Sequence, residues 1–162
     1  MARRRFPRLR RRRSSRPPAS SGPRILVIDD DPDVLLLLKL LLEAGGFSPT
    51  MADGGQVGLD RLDEVAPSLI VLDMMMPVVD GWDVLRSVEA RPDAPPVVVL
   101  SAKVSAVDRV RALELGAVEY VGKPFHPQQL VETIRAVLDR DPKGRQEHRD
   151  RMLSALRSGT TG

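Results

Sequence analysis

Asp29, Asp30, Asp73, Ser101 and Lys123 are the residues whose types could do chemistry together. Three carboxylates gathered in a poorly solvated cleft repel one another, and a hard divalent cation such as Mg2+ is the simplest agent that lets all three stay ionised. Mg2+ takes one or two carboxylates, several waters and phosphate oxygens, so a sparse oxygen set suits it better than a Cys or His set would. A phosphoryl group completes such a set. Lysine offers the compact positive charge that phosphoryl oxygens need, and a serine hydroxyl can donate to another of them. The chemistry expected of this group is acyl-phosphate formation. Each residue alone has a plainer reading: Asp29 or Asp30 as a helix cap, Asp73 as the end of a strand, Ser101 as a strand-end hydroxyl.

For the five to meet, they must lie on one edge of a sheet. From Arg24 onward, short aliphatic runs alternate with helical patterns, the signature of a parallel sheet covered by helices on both faces. Strands are expected at Ile25–Asp29, Phe47–Met51, Leu69–Asp73, Val97–Ser101 and Val118–Val121. The first, third and fourth are nearly all aliphatic, as buried central strands are, while Pro49 marks the second as an edge. Helical patterns fall near Asp33–Glu43, Gly55–Glu64, Trp82–Ala90, Ala106–Leu115 and Pro127–Arg140. Asp31 followed by Pro32 caps the first, Gly45 and Gly46 end it, and Gly116 closes the fourth. Five βα units result, an α/β doubly wound fold. Its ligands bind at the carboxyl ends of the strands, where Asp29, Asp30, Asp73, Ser101 and Lys123 all fall.

The 162 residues, 42% of them hydrophobic, suffice for one core and one globular domain. With no cysteine, disulfides, thiolate metal sites and thiol catalysis are excluded. The longest apolar run, Val34 to Leu42, is broken by Lys39 and is too short to span a bilayer, so a soluble, cytoplasmic protein is expected. The net charge of +3 hides an asymmetry: residues 1–24 hold ten arginines and no acid, leaving 15 basic against 22 acidic side chains, a balance of −7, in the rest. Residues 1–22 read as a disordered Arg/Pro/Ser-rich tail, 23–141 as the folded domain, and 142–162 as a C-terminal tail with at most a short, weakly amphipathic helix. The stretch Pro142–Gly144 is read as breaking the last helix. His126 and His148 are read as surface residues, and Met74–Met76 and Trp82 as loop and packing residues.

The motifs IDDD at 28–31, VLDMMMPVVDGW at 71–82, VLSAK at 99–103 and EYVGKPF at 119–125 resemble the receiver domains of bacterial two-component response regulators over roughly Pro23 to Arg140. The resemblance implies a flavodoxin-like fold with strand order 2-1-3-4-5, the order of chemotaxis receivers, and five helices. It makes Asp73 the phosphoacceptor, with Asp29, Asp30, the Asp73 carboxylate and the Met75 carbonyl around Mg2+ and Lys123 paired with the phosphoryl group. It puts Ser101 at the hydroxyl switch position, and Tyr120 at the aromatic position whose ring turns inward once that hydroxyl moves. Lys123–Pro124 matches a bond that is usually cis in the family, and Gly81 the tight turn before the third helix. The partners implied are a histidine kinase or phosphotransfer protein and a downstream protein target, met through the face of the fourth helix, fifth strand and fifth helix. The chain is expected to act as a stand-alone module, a monomer or a phosphorylation-linked dimer.

Two other functions compete. The arginine tail could make this a nucleic-acid-binding regulator, yet no aromatics are interleaved to stack on bases. An inert tail, or translated sequence upstream of the true start, is the reading favoured for residues 1–22, and nucleic acid is not expected as a partner. An aspartyl-phosphate phosphohydrolase would use a similar nucleophile and metal, but such enzymes resemble one another in a second Asp two residues on, where Met75 stands here. The chain is not expected to turn over small substrates.

Overall fold

β-Branched and aliphatic runs bounded by Gly, Pro and Asp form five parallel strands in this computed structural model, which describes residues 22–159. They are β1 (Arg24–Ile28), β2 (Ser48–Ala52), β3 (Leu69–Asp73), β4 (Val97–Ser101) and β5 (Glu119–Gly122), ordered β2-β1-β3-β4-β5. β3 and β4 are buried along their whole length, whereas β2, which contains Pro49, is half-buried at the edge. The sheet is flavodoxin-like, as expected, with β1, β2 and β5 each displaced by one residue from their expected ends. The reading of residues 1–22 as a disordered tail lies, but for Gly22, outside the described residues.

The period-two alternation of each strand divides the core. Leu26, Ile28, Ile70, Leu72, Val97 and Val99 meet one set of helices: α2 (Gly55–Val65), α3 (Gly81–Glu89) and α4 (Ala106–Glu114). Ile25, Val27, Leu69, Val71, Val98 and Leu100 meet α1 (Pro32–Ala44) and α5 (Pro127–Asp139) on the other face. Each fully buried Leu or Ile contributes about 1.5–3 kcal/mol by leaving water. A one-residue slip of any central strand would reverse its two faces, so burial fixes the register that aligns the strand ends. Asp31 caps α1, accepting from Asp33 N at 2.9 Å, with Pro32 at the first helical position.

Among the described residues the helix count is six, one more than the five expected for the fold. The fifth helix ends at Asp139, before Pro142 as expected, but Pro142–Gly144 also open a helix longer than the short one expected, α6 (Pro142–Gly159): Asp141 accepts from Gly144 N at 2.7 Å, an N-cap like that of Asp31 before Pro32. Its packing partner is α4. His148 is no lone surface residue either, because its Nε2 lies 2.5 Å from Glu119 Oε1 of β5, with both side chains less than a fifth exposed.

Val78, in the loop between β3 and α3, has φ +67° and is fully exposed. A β-branched residue in that left-handed region costs on the order of 1–3 kcal/mol, with no burial here to offset it. Val78→Gly is expected to stabilise the domain by about 1 kcal/mol after the entropy of glycine in the unfolded chain is deducted, as read from urea unfolding. A less stable variant would contradict this.

Candidate functional site

Three strand ends and two loops build an acidic cleft at the carboxyl edge of the sheet. Asp29 follows β1, and Asp73 and Ser101 are the last residues of β3 and β4; they are 2%, 6% and 0% exposed, the only buried polar or charged residues among those described. Asp30, next to Asp29, is exposed. One carboxylate oxygen from each of Asp29, Asp30 and Asp73 lies within 4.8 Å of the others. These are hard oxygen donors, closely spaced, and they fit a small divalent cation.

Lys123, just past β5, reaches into the cleft. Its Nζ donates to Asp29 Oδ2 at 2.8 Å and lies 3.6 Å from Asp73 Oδ1. Backbone N–H groups hold the acids in place: Asp31 N donates to Asp29 Oδ1 at 2.9 Å, and Met75 N to Asp73 Oδ1 at 3.3 Å. Burial raises the pKa of the Asp73 carboxyl and nearby Asp29 raises it further, while Lys123 and the Met75 N–H oppose them and Asp30 adds a smaller upward push. The cleft thus presents a carboxylate whose charge is only partly compensated by its neighbours.

Close packing shapes the loop after Asp73. Gly81 N donates to Met74 O at 3.2 Å, and a Cβ at position 81 would run into the Asp73 carbonyl and lie 2.8 Å from Met74 Sδ. Only glycine fits there. Met74 and Met76 are buried, Met75 is half exposed, and Trp82 packs on the core with the Arg111 guanidinium 4.2 Å from its ring centroid. These side chains pack as the sequence suggested, and the part of Met75 that meets Asp73 is its backbone.

Ser101 Oγ accepts from Lys103 N at 3.2 Å, and the Ser101 carbonyl accepts from Lys123 N at 2.8 Å. Tyr120 is buried at 6% exposure, its hydroxyl donating to the Lys103 carbonyl and the Arg109 guanidinium 5.7 Å from its ring centroid. The ring is therefore already turned inward here. The Lys123–Pro124 peptide bond is cis. Sequence reasoning missed the Lys103 backbone as the link between Ser101 and Tyr120, and Arg109 as the cation over the Tyr120 ring. Arg109 stands eleven residues before Tyr120, and no local pattern connects them.

The sheet order and this cleft define a receiver. The family model for the response regulator receiver domain matches residues 25–135, and the chain belongs to that family. It is a receiver domain of a two-component response regulator. It is 36% identical over 115 residues to the sensory transduction protein RegX3 of Mycobacterium tuberculosis, covering 71% of this chain and 50% of that protein. It is 44% identical over 100 residues to the transcriptional regulatory protein CpxR of Escherichia coli, covering 62% of this chain and 42% of that protein. Thus the chain spans half or less of the length of these curated relatives. A solved receiver domain, that of the Francisella response regulator 1452, superposes with a TM-score of 0.69 at 30% identity, covering 72% of this chain and 97% of that one.

Proposed function

We propose that the protein is a phosphoacceptor module of a two-component phosphorelay, phosphorylated on Asp73 in a Mg2+-dependent reaction. The observation that carries this reading is the convergence of Asp29, Asp30 and Asp73 within 4.8 Å, with Lys123 Nζ between two of them. Mg2+ would be held by Asp29, Asp30, the Asp73 carboxylate and the Met75 carbonyl, and when bound it supplies positive charge to oxygens that gain negative charge during transfer. The contacts of the Asp73 carboxylate with Met75 N and Lys123 Nζ both fall on Oδ1. Oδ2 is then the oxygen that forms the new O–P bond, as the bond between donor and phosphorus breaks and the donor leaves with the bonding electron pair. Lys123 can shift from Asp29 to a phosphoryl oxygen, and the Ser101 hydroxyl can donate to another. Catalysis here is positioning and charge stabilisation, so the protein acts on its own phosphoryl group and is not a turnover enzyme on small substrates.

The phosphodonor is a histidine kinase or phosphotransfer protein and the target a downstream protein, with the reaction taking place in the cytoplasm. Among the described residues, no helix is long and apolar enough to cross a membrane. Intact mass after incubation with acetyl phosphate and Mg2+ tests the proposal. One phosphoryl group gained by the unmodified protein, lost without Mg2+ and lost in Asp73→Asn, is the expected result; no gain by folded protein would leave the fold as a scaffold. CpxR is by name a transcriptional regulator, which keeps nucleic acid as a second reading for the arginine-rich residues 1–22. Salt-dependent DNA retention that disappears when those residues are deleted would support it, and indifference to the deletion would remove it.

A further inference from the structure

α6 lies against α4, yet none of its residues is buried. One side of the helix is half-buried: Arg145, His148, Arg149, Met152, Leu153 and Leu156, at the three- and four-residue spacing of a helix seam. Only three of these six are apolar, so burial alone holds the helix weakly. Acid–base contacts add to it. Glu119 of β5 lies 2.5 Å from His148 Nε2 and 4.0 Å from Arg140 Nη1, and Glu114 of α4 accepts from Arg157 Nη2 at 2.5 Å. At the base of α6, Arg145 Nη1 donates to the Arg140 carbonyl at 2.6 Å. Contacts of this kind, with little buried apolar area, define a segment that opens locally while the core stays folded.

We propose that α6 is a detachable cover of the surface formed by α4 and β5, held by the Glu114 and Glu119 anchors, and that phosphorylation loosens it. The second half rests on the reading of Asp73 as phosphoacceptor. The seat of α6 and the switch hydroxyl form one connected set. Ser101 Oγ accepts from Lys103 N, Lys103 O accepts from the Tyr120 hydroxyl, and Tyr120 is the neighbour of Glu119. Ser105, two residues beyond Lys103, caps α4 by accepting from Asp108 N at 3.1 Å, and Arg109 of α4 lies over the Tyr120 ring. A Ser101 hydroxyl drawn to a phosphoryl oxygen gives up the Lys103 N–H bond, freeing the 102–105 loop to shift both α4 and Tyr120 under α6. A protein that docks on this surface must first displace α6.

Hydrogen-exchange mass spectrometry on the full chain tests both halves. Glu114→Gln with Glu119→Gln is expected to speed exchange in α6 by about fivefold or more while β1, β3 and β4 keep their rates. His148→Gln with Arg157→Gln, changed on the helix side, must do the same, which separates loss of the anchors from damage to β5. Unchanged α6 exchange in both double variants overturns the anchored cover. With Mg2+ and beryllofluoride, a phosphoryl mimic, residues 74–81 should gain protection while α6 loses it. Protection at 74–81 with α6 unchanged overturns the coupling. No protection at 74–81 removes the phosphoacceptor reading and the coupling with it, whereas the variants judge the anchors independently.

Discussion

Lys123→Ala is expected to destabilise the Mg2+-free protein by about 2–3 kcal/mol and to slow phosphorylation from acetyl phosphate about a hundredfold. The ammonium lies 2.8 Å from Asp29 and 3.6 Å from Asp73, and without it two buried carboxylates face each other with no compensating charge. Breaking a buried ion pair by removing one partner typically costs about 3–5 kcal/mol, reduced here because the lysine side chain keeps 21% of its exposure and is partly screened by solvent. Mg2+ should restore part of the lost stability, since it replaces the missing positive charge, but not the lost rate. Lys123→Arg keeps the charge and should recover stability better than rate, because a planar fork cannot occupy the position of a compact ammonium. Urea unfolding with and without Mg2+ reads the first effect and time-resolved intact mass the second. A loss below about 0.5 kcal/mol, the size of an exposed pair, would mean that Lys123 does not compensate the cleft.

The parts of this molecule that were legible in its sequence are those where burial dictates residue type. Leu69–Asp73 and Val97–Ser101 are aliphatic up to a polar last residue, and both strands fall at the expected positions. Their final residues face the cleft because the sheet is parallel, so the edge that gathers Asp29, Asp73 and Ser101 follows from the connectivity alone. Displaced strand ends arose where the ladder outruns the apolar pattern. Arg24 pairs with Ser48 and Ser101 with Gly122 through backbone groups, to which side-chain hydrophobicity is blind.

α6 was underestimated for a different reason. Its seam carries polar residues, Arg145, His148 and Arg149, at half of its positions, so its periodicity is faint, and it is held by Glu119 and Glu114, far away in the chain. One local signal did point to it: Asp141–Pro142 repeats the Asp31–Pro32 pair that opens α1. That pair marks a new start directly after the break that ends α5. The Ser101–Lys103–Tyr120 chain had no local signal, since two of its links run through the Lys103 backbone. A resemblance could suggest that Ser101 and Tyr120 act together, but the atoms that join them become visible only in three dimensions.

Asp73→Asn is expected to be more stable than the unmodified protein without metal at neutral pH, by about 5 °C in Tm, the shift that on the order of 1 kcal/mol produces in a domain of this size. The amide keeps the shape of the carboxylate and can donate a hydrogen bond toward Asp29, replacing a repulsion with an attraction. Burial and then Asp29 raise the pKa of Asp73 in the folded state, against the pull of Lys123 and the Met75 N–H. The folded protein therefore holds this proton more tightly than the unfolded chain does. The stability contributed by protonated Asp73 is fully present below its unfolded pKa and is lost as pH rises through the raised folded one. It follows that the advantage of the variant should be largest near pH 7 and should shrink as acidification protonates Asp73 in the unmodified protein. Mg2+ reverses the order: at a hundred times its Kd, the unmodified protein gains about 2.7 kcal/mol, while the variant, with one carboxylate fewer, binds more weakly and gains less. Thermal melts across pH, with and without Mg2+, would show two curves that cross only when the metal is present. A variant less stable than its parent at pH 7 without metal would mean that Lys123 and the Met75 N–H already outweigh burial and Asp29, leaving the cleft no unbalanced charge with which to attract a cation.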